Sequence, residues 1–405
     1  MRQLNGRLML PGEDVRVHLV NDGAVLFERD RQALFTANAT AAAVWCGLEQ
    51  KFPPASVADG MTERFGLDLT TARTYVAQTL RQWRRERRSD VRTFDLGPAP
   101  DPADVLPAND IHDTAIRRAV LQPMATAETR SYRMLDTVFS IRFERGGLAR
   151  DVDETLGHLR HDGPPDAVGA SFDVRHVCGS AVLSEYDDII ECCTDEAHAV
   201  AMVRACVIDR ALEDCRDLAA LHAAAAIRGD KCILLPGLSG VGKSTLAAGL
   251  AAEGFILLGD DVVTICRESF AVRPVPCGIC LKENSWELLA TRFPEVRRLA
   301  VHARPDHHRV KYVTPPTVNL AHGDVGADVG WIVFPTFDAD GPTELLPISG
   351  IGVFDRLLTC FEQLGDGLNE AEVEGLIGWV MSRPCYSLRV SSLTEAVRLL
   401  SFLDA

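Results

Sequence analysis

The stretch "CILLPGLSGVGKSTLAAGLAAEG", residues 232–254, constrains this chain more than any other. Gly237, Leu238, Ser239, Gly240, Val241, Gly242, Lys243 and Ser244 fit the phosphate-loop pattern G-x-x-x-x-G-K-[ST] without deviation. The context fits as well, because "CILLP" reads as a buried strand and the alanine- and leucine-rich run after the loop reads as a helix closed by Gly254. Glycines let backbone N–H groups wrap phosphates, and the following helix directs its positive end at them. The expected nucleotide-binding set is therefore Gly237 to Ser244 with Thr245. Lys243 is expected on the β- and γ-phosphates, and Ser244 on Mg2+.

Two adjacent acids follow closely in "FILLGDD", residues 255–261. A helix from Ser244 to Glu253 carries the chain about 15 Å outward, and one returning strand brings Asp260 and Asp261 back toward the phosphates. Adjacent strand residues point to opposite faces, so the pair shares one task only if the backbone bends there. The expectation is a division of labour in which Asp260 accepts the proton of an attacking hydroxyl and Asp261 anchors metal or its waters. An ordinary aspartate is a weak base, suited to a loose phosphoryl-transfer transition state in which the proton moves late.

This constellation resembles the HPr kinase/phosphorylase catalytic domain and its HprK-related relatives. The matching residues are His222 in "LHAAAAI", Gly237 to Ser244, and the Asp260–Asp261 pair in "LLGDD". Weaker similarity of strand and helix order runs to the C-terminus through "VPCGICLKENSW" and "GWIVFP". The resemblance implies an α/β P-loop fold and phosphorylation of a serine on a protein or peptide, with ATP, Mg2+ and an aspartate base. It also implies a homo-oligomer, and it makes His222 a candidate that tunes the site. The family's arginine- and glycine-rich signature after the aspartates is not found, so the resemblance leaves open both the HPr carrier as substrate and reverse phosphorolysis.

At the N-terminus, "VRVHLV" alternates with Val15, Val17 and Leu19 on one face, and Asn21, Asp22 and Gly23 mark a hairpin turn into "AVLFE". The strand "ALFT" leads to Asn38 as N-cap of a helix with Ala41, Val44, Trp45 and Leu48 at helical spacing. A second helix runs from Ser56 to near Gly66, and a third buries Ala72, Val76, Leu80 and Trp83. This winged-helix-like unit resembles the PqqD family of peptide-binding domains, carried by "LFTANATAAAVWCGL" and "SVADGMTERFGLDLTTARTYVAQTLRQW". The resemblance implies recognition of a precursor-peptide leader, added as an extra strand at a sheet edge beside a helix. Arg81, Arg84, Arg85, Arg87 and Arg88 also suit nucleic acid in principle, but such a run more often solvates a helix end.

Residues 96–130 carry Pro98, Pro100, Pro102 and Pro107 without apolar periodicity and are expected to be a linker. Residues 131–218 are expected to form a mixed α+β region with strands in "RMLDTVFSIRFER", "AVGASFDVRHV" and "SAVLSEY" and a helix from about Thr194. Residues 219–405 are expected to be the P-loop domain, ending in the strand "CYSLRV" and a helix opened by Ser392 and Glu395.

A net charge of -15 disfavours a generic nucleic-acid binder, which needs a basic face to release counterions. No apolar run reaches a membrane span, and the N-terminus lacks a signal-peptide core, so the cytoplasm is the expected compartment. Twelve dispersed cysteines, among them Cys206, Cys232 and Cys360 in apolar contexts, are expected as thiols. Cys277 and Cys280, with His302, His307 and His308 downstream, are candidate metal ligands that lack a second CxxC. Lys282 and Glu283 are candidates for phosphate or a second Mg2+, and Arg309 and Lys311 for the transferring phosphate, each against a reading as exposed charges.

The sequence therefore reads as an ATP-dependent serine/threonine kinase acting on a precursor peptide or small protein captured by residues 1–95. A nucleotide-hydrolysing switch, a DNA-binding regulator and a small-molecule kinase stand as alternatives.

Overall fold

The computed structural model describes residues 14–86, 110–124, 128–163, 168–193, 196–304, 306, 308–314, 320–321, 326–365 and 367–403. The chain divides into two compact units, residues 1–96 with 347–386, and residues 97–346 with 387–405.

The first unit opens with an antiparallel sheet in the order β1 (Val15–Val20), β2 (Gly23–Glu28) and β3 (Ala33–Asn38). Three helices follow, α1 (Ala39–Glu49), α2 (Pro54–Phe65) and α3 (Leu69–Glu86). Asn38 caps α1 as expected, its side chain accepting from the Ala41 N–H at 2.9 Å. Val15, Leu26, Ala37, Met61 and Val76 pack around Trp45 and Trp83, whose rings meet edge to face at 5.1 Å. Two details differ from expectation. Leu19 is 68% exposed because the helical cover reaches only Val15 and Val17 along β1. Helix α2 begins at Pro54, two residues before Ser56, since proline's fixed φ suits the first turn. Of the arginine run, Arg81 donates back to the Ala77 carbonyl; the side chains of Arg84 and Arg85 and all of Arg87 and Arg88 lie outside the described residues.

The second unit begins with α4 (Asp110–Val120), then β4 (Glu128–Met134), β5 (Thr137–Phe143), α5 (Gly146–Leu156), β6 (Ala170–Val177), β7 (Ser180–Glu185), β8 (Asp188–Cys193) and α6 (Glu196–Asp214). These strands form one sheet in chain order. Helix α4 corrects the linker expected over 96–130, because Ile116 and Val120, one turn apart, bury against Val182. The prolines of that segment lie outside the described residues.

The chain continues through β9 (Ala219–Leu221), β10 (Ala223–Arg228), β11 (Lys231–Pro236), α7 (Lys243–Ala252), β12 (Ile256–Gly259), β13 (Val263–Ile265), β14 (Val272–Arg273), β15 (Ile279–Lys282), α8 (Trp286–Leu289), β16 (His302–Ala303), β17 (Arg309–Val313), β18 (Val329–Phe337) and β19 (Glu344–Ile348). Next come α9 (Ile351–Leu358), β20 (Phe361–Leu364), α10 (Glu370–Met381), β21 (Cys385–Val390) and α11 (Leu393–Ser401). A six-stranded sheet has the order β12-β10-β11-β18-β21-β19, β9 and β13 pair in a second sheet with β14, and β15-β17-β16 form a third.

Residues 347–386, read from sequence as part of the domain 219–405, belong to the first unit. Helix α9 packs on β2 and β3, the Ile351 N–H donates to Asp22 Oδ1 at 2.8 Å, and Thr36 donates to Asp355 at 2.6 Å. Glu370 of α10 pairs with Arg29 at 2.8 Å. Strand β2 is consequently buried on both faces, with Val25 and Phe27 fully enclosed. Among the described residues no helix is long and apolar enough to cross a membrane, and none of the twelve cysteines forms a disulfide.

Candidate functional site

The loop after β11 begins where the Gly237 N–H donates to the His222 carbonyl at 3.3 Å. Gly240 and Gly242 adopt φ of +92° and +97°, left-handed backbone that lets successive N–H groups turn inward without a side-chain clash. Gly242 is the N-cap of α7, so the loop ends on the positive pole of that helix. Lys243 is 5% exposed, and its Nζ donates to the carbonyls of Gly237 at 2.6 Å and Leu238 at 3.0 Å. Its ammonium therefore lies folded over the loop. Leu238, Ser239 and Gly240 are exposed at the rim, while Val241, Ser244 and Thr245 are half-buried.

The acids arrive by a repeated piece of topology. Strands β10 and β12 are antiparallel neighbours in the six-stranded sheet, and β9 and β13 are antiparallel neighbours in the second sheet. The chain thus crosses between the two sheets twice, side by side, once at His222 and once at Asp260–Asp261. Pairing of β10 with β12 slips at Ala225/Ala226 and β12 stops at Gly259. That glycine is required, since a Cβ there would meet the Val262 carbonyl at 2.5 Å. The backbone bends after it, and the two carboxylates diverge.

Asp260 turns inward and is 2% exposed. Its Oδ2 accepts from the Cys280 N–H at 2.9 Å, whereas Oδ1 is buried without a hydrogen-bond partner of good geometry. Burial and the adjacent Asp261 charge push Asp260 up to about 6, against the opposing pull of the Cys280 N–H, the Ser244 hydroxyl and the Lys243 ammonium. Asp261 turns outward, with its side chain 32% exposed and its Oδ1 3.7 Å from His222 Nδ1. Burial acts to raise Asp261, but the charges of Arg204, His222, Arg304 and Lys243 outweigh it and hold it below the usual carboxylate range.

Arg204 carries no obvious sequence signal of chemistry. It lies on α6, where Val200, Val203 and Val207 form an apolar stripe, and it sits one turn after Val200. A charge at a core position of such a stripe is the signal that was there to find. Its guanidinium is buried, stacks 4.8 Å above the Tyr312 ring and donates to the Gly278 carbonyl at 3.2 Å. Arg304, from the β16–β17 turn, approaches Cys280 Sγ at 3.8 Å and pairs with Asp306 at 3.5 Å.

The lesser candidates separate. Lys282, at the end of β15, donates to Ser239 Oγ of the loop at 3.0 Å. Glu283 instead pairs with Arg309 at 2.6 Å on the surface. Lys311 is corrected both as a phosphate ligand and as an exposed charge. It is 7% exposed in β17, donates to the Val296 carbonyl at 2.6 Å and lies 4.7 Å from the Trp286 ring, so its charge is consumed by packing. Cys277 and Cys280 are buried thiols in the core, and burial raises both; His302 is buried against Tyr312, and His308 is exposed. Among the described residues they do not converge as metal ligands, and His307 lies outside those residues.

Residues 23–87 match the family model of coenzyme PQQ synthesis protein D (PqqD), which bears out the N-terminal resemblance over that segment. No curated protein matches the chain. Among solved structures, TbiB1 in complex with the TbiA(beta) leader peptide is similar at 20% identity, covering 20% of this chain and 92% of that one with a TM-score of 0.19. The HPr(Ser) kinase/phosphatase from Coxiella burnetii is similar at 13% identity, covering 46% of this chain and 87% of that one with a TM-score of 0.23.

Proposed function

We propose that this protein is an ATP- and Mg2+-dependent kinase that phosphorylates a serine or threonine on a precursor peptide or small protein captured by its N-terminal PqqD segment. The observation that carries the reading is the Asp260–Asp261 pair beside the loop, in which one carboxylate is buried on the Cys280 N–H and the other turns to His222. Such divergence marks an assignment of roles. Asp260, raised to about 6 and with Oδ1 uncommitted, is suited to take a proton from an attacking hydroxyl. Asp261, kept ionised, is suited to hold a cation.

The residues fit the cofactors. Gly240 and Gly242 shape a cradle at the N-terminus of α7, and Lys243 supplies a fixed positive charge over it. Ser244 and Asp261 offer oxygen donors, the class that Mg2+ takes. Bound Mg2+ would neutralise charge on the phosphates during transfer. Within the chain, Lys243 binds the phosphates, Asp261 stays anionic, His222 and Arg204 keep it so, and Asp260 removes the acceptor's proton.

Capture of the leader on the same chain raises the local concentration of the acceptor, so the cleft need not bind the acceptor residue tightly. The cytoplasm is the proposed compartment, and a homo-oligomer the proposed assembly. The test of capture is competition. A leader fragment without the acceptor residue, added in excess, is expected to suppress labelling of the full precursor peptide by wild-type protein. Labelling unchanged at saturating leader would remove the capture step from the account.

A further inference from the structure

Two lysines converge on one phosphate loop. Lys243 reaches it from inside, bound to the carbonyls of Gly237 and Leu238. Lys282 reaches it from outside, and its Nζ donates to Ser239 Oγ at 3.0 Å. Their supports are separate. Lys243 opens α7, whereas Lys282 ends β15, a strand of the three-stranded β15-β17-β16 sheet that packs on α7. Strand β15 also carries Cys280, whose N–H fixes Asp260, so one short strand sets both the buried acid and the outer lysine.

We propose that Lys282 is a second phosphate-binding residue of this site, one that reads the terminal phosphate of a nucleoside triphosphate. The inference rests on the nucleotide-binding reading above. Its physical basis is the mismatch between the lysine and its partner. An ammonium is a strong donor matched to anionic oxygen, and a serine hydroxyl at an exposed rim is a weak neutral acceptor that costs little to leave. The Glu283–Arg309 pair, by contrast, ties up the neighbouring carboxylate and keeps it from competing for Lys282. A phosphate oxygen at the rim therefore displaces Ser239 from Lys282 at small cost. A diphosphate, held deeper by Lys243 and the α7 N-terminus, leaves the Lys282–Ser239 contact in place. Lys282 thereby separates the triphosphate from the diphosphate, and its charge remains with the terminal phosphoryl group as that group leaves.

The experiment measures ATP and ADP dissociation constants, with Mg2+ present, by titration calorimetry on full-length wild type, Lys282→Gln and Lys282→Arg. Glutamine keeps a hydrogen-bond donor for Ser239 but loses the charge, and arginine keeps the charge. The expected result is that Lys282→Gln lowers the preference for ATP over ADP by about tenfold, the scale of one charge-assisted contact, while Lys282→Arg retains most of it. ADP affinity should change little in either variant. Equal weakening of both nucleotides would make Lys282 a tether for the loop and overturn the proposal. Unchanged affinities in Lys282→Gln would overturn it too. Wild type that binds neither nucleotide would instead overturn the reading on which the proposal rests, and the two failures are distinct.

Discussion

His222 Nδ1 and Asp261 Oδ1 lie 3.7 Å apart, although the residues are separated by the whole glycine-rich loop and its helix. The two crossings that bear them, β9 to β10 and β12 to β13, run between the same two sheets at adjacent points, which makes their proximity a product of topology. Removing the imidazole should therefore act through Asp261. His222→Ala is expected to raise the Mg2+ concentration needed for half-maximal turnover, with ATP affinity changed less, in a Mg2+ titration at fixed ATP. A variant whose Mg2+ dependence is unaltered would detach His222 from the site.

The two acids should fail differently. Asp260→Asn is expected to lower turnover by roughly a hundredfold or more, the scale of general-base catalysis, with Mg2+ dependence kept. Asp261→Asn is expected to shift the Mg2+ requirement upward. The reverse pattern would exchange the roles of the two carboxylates.

Stability of the metal-free protein should carry the mark of Asp260. Its folded-state value near 6 exceeds the ordinary carboxylate value of 3.8, so the native state binds the proton more tightly than the unfolded chain. The favourable contribution is complete below about 3.8 and is lost as pH rises through about 6. Above that pH the buried charge costs up to roughly 3 kcal/mol, which Asp260→Asn removes. Urea denaturation is expected to show Asp260→Asn more stable than wild type at pH 8 and the advantage shrinking toward pH 4. A difference independent of pH would contradict the burial argument.

Arg204→Met should show the opposite sign. The substitution leaves the Gly278 carbonyl unpaired and takes a positive charge from beside Asp261, at a cost of about 2–4 kcal/mol. A melting temperature equal to that of wild type would deny Arg204 its place in the core.

Truncation to remove residues 1–95 is expected to yield aggregated protein. The face of β2 and β3 that carries Val25 and Phe27 is covered by α9, and deleting the sheet bares that helix. Size-exclusion chromatography checks this. A monodisperse truncated protein would mean that residues 347–386 hold together without the N-terminal sheet.

The parts of the site legible in the sequence were local ones. The left-handed glycines of the loop, the length of α7 and the return of one strand to Asp260 and Asp261 all follow from neighbouring residues. So did Asn38 as a cap and the stripe of Ala72, Val76 and Trp83, and the family match over 23–87 agrees with that N-terminal reading. The Cys280 N–H and the Lys282–Ser239 contact were not legible, because they depend on which strands and helices meet across tens of residues, and Arg204 left only the trace of a charge in the apolar stripe of α6. Helix α4 was hidden because two anchors, Ile116 and Val120, sit behind a proline-rich approach. Lys311 misled for the opposite reason. A lysine beside histidines and arginines reads as solvated, yet its alternation with Val310 and Tyr312 belongs to a buried strand.

The most direct measurement is phosphoryl transfer from γ-labelled ATP with Mg2+ to a panel of candidate precursor peptides, with full-length wild type, Lys243→Ala and Asp260→Asn. The account predicts label on a serine or threonine of the peptide with wild type and none above background with either variant. Release of labelled phosphate at the same rate with and without peptide, and no label on any peptide, would contradict it and identify a nucleotide-hydrolysing switch.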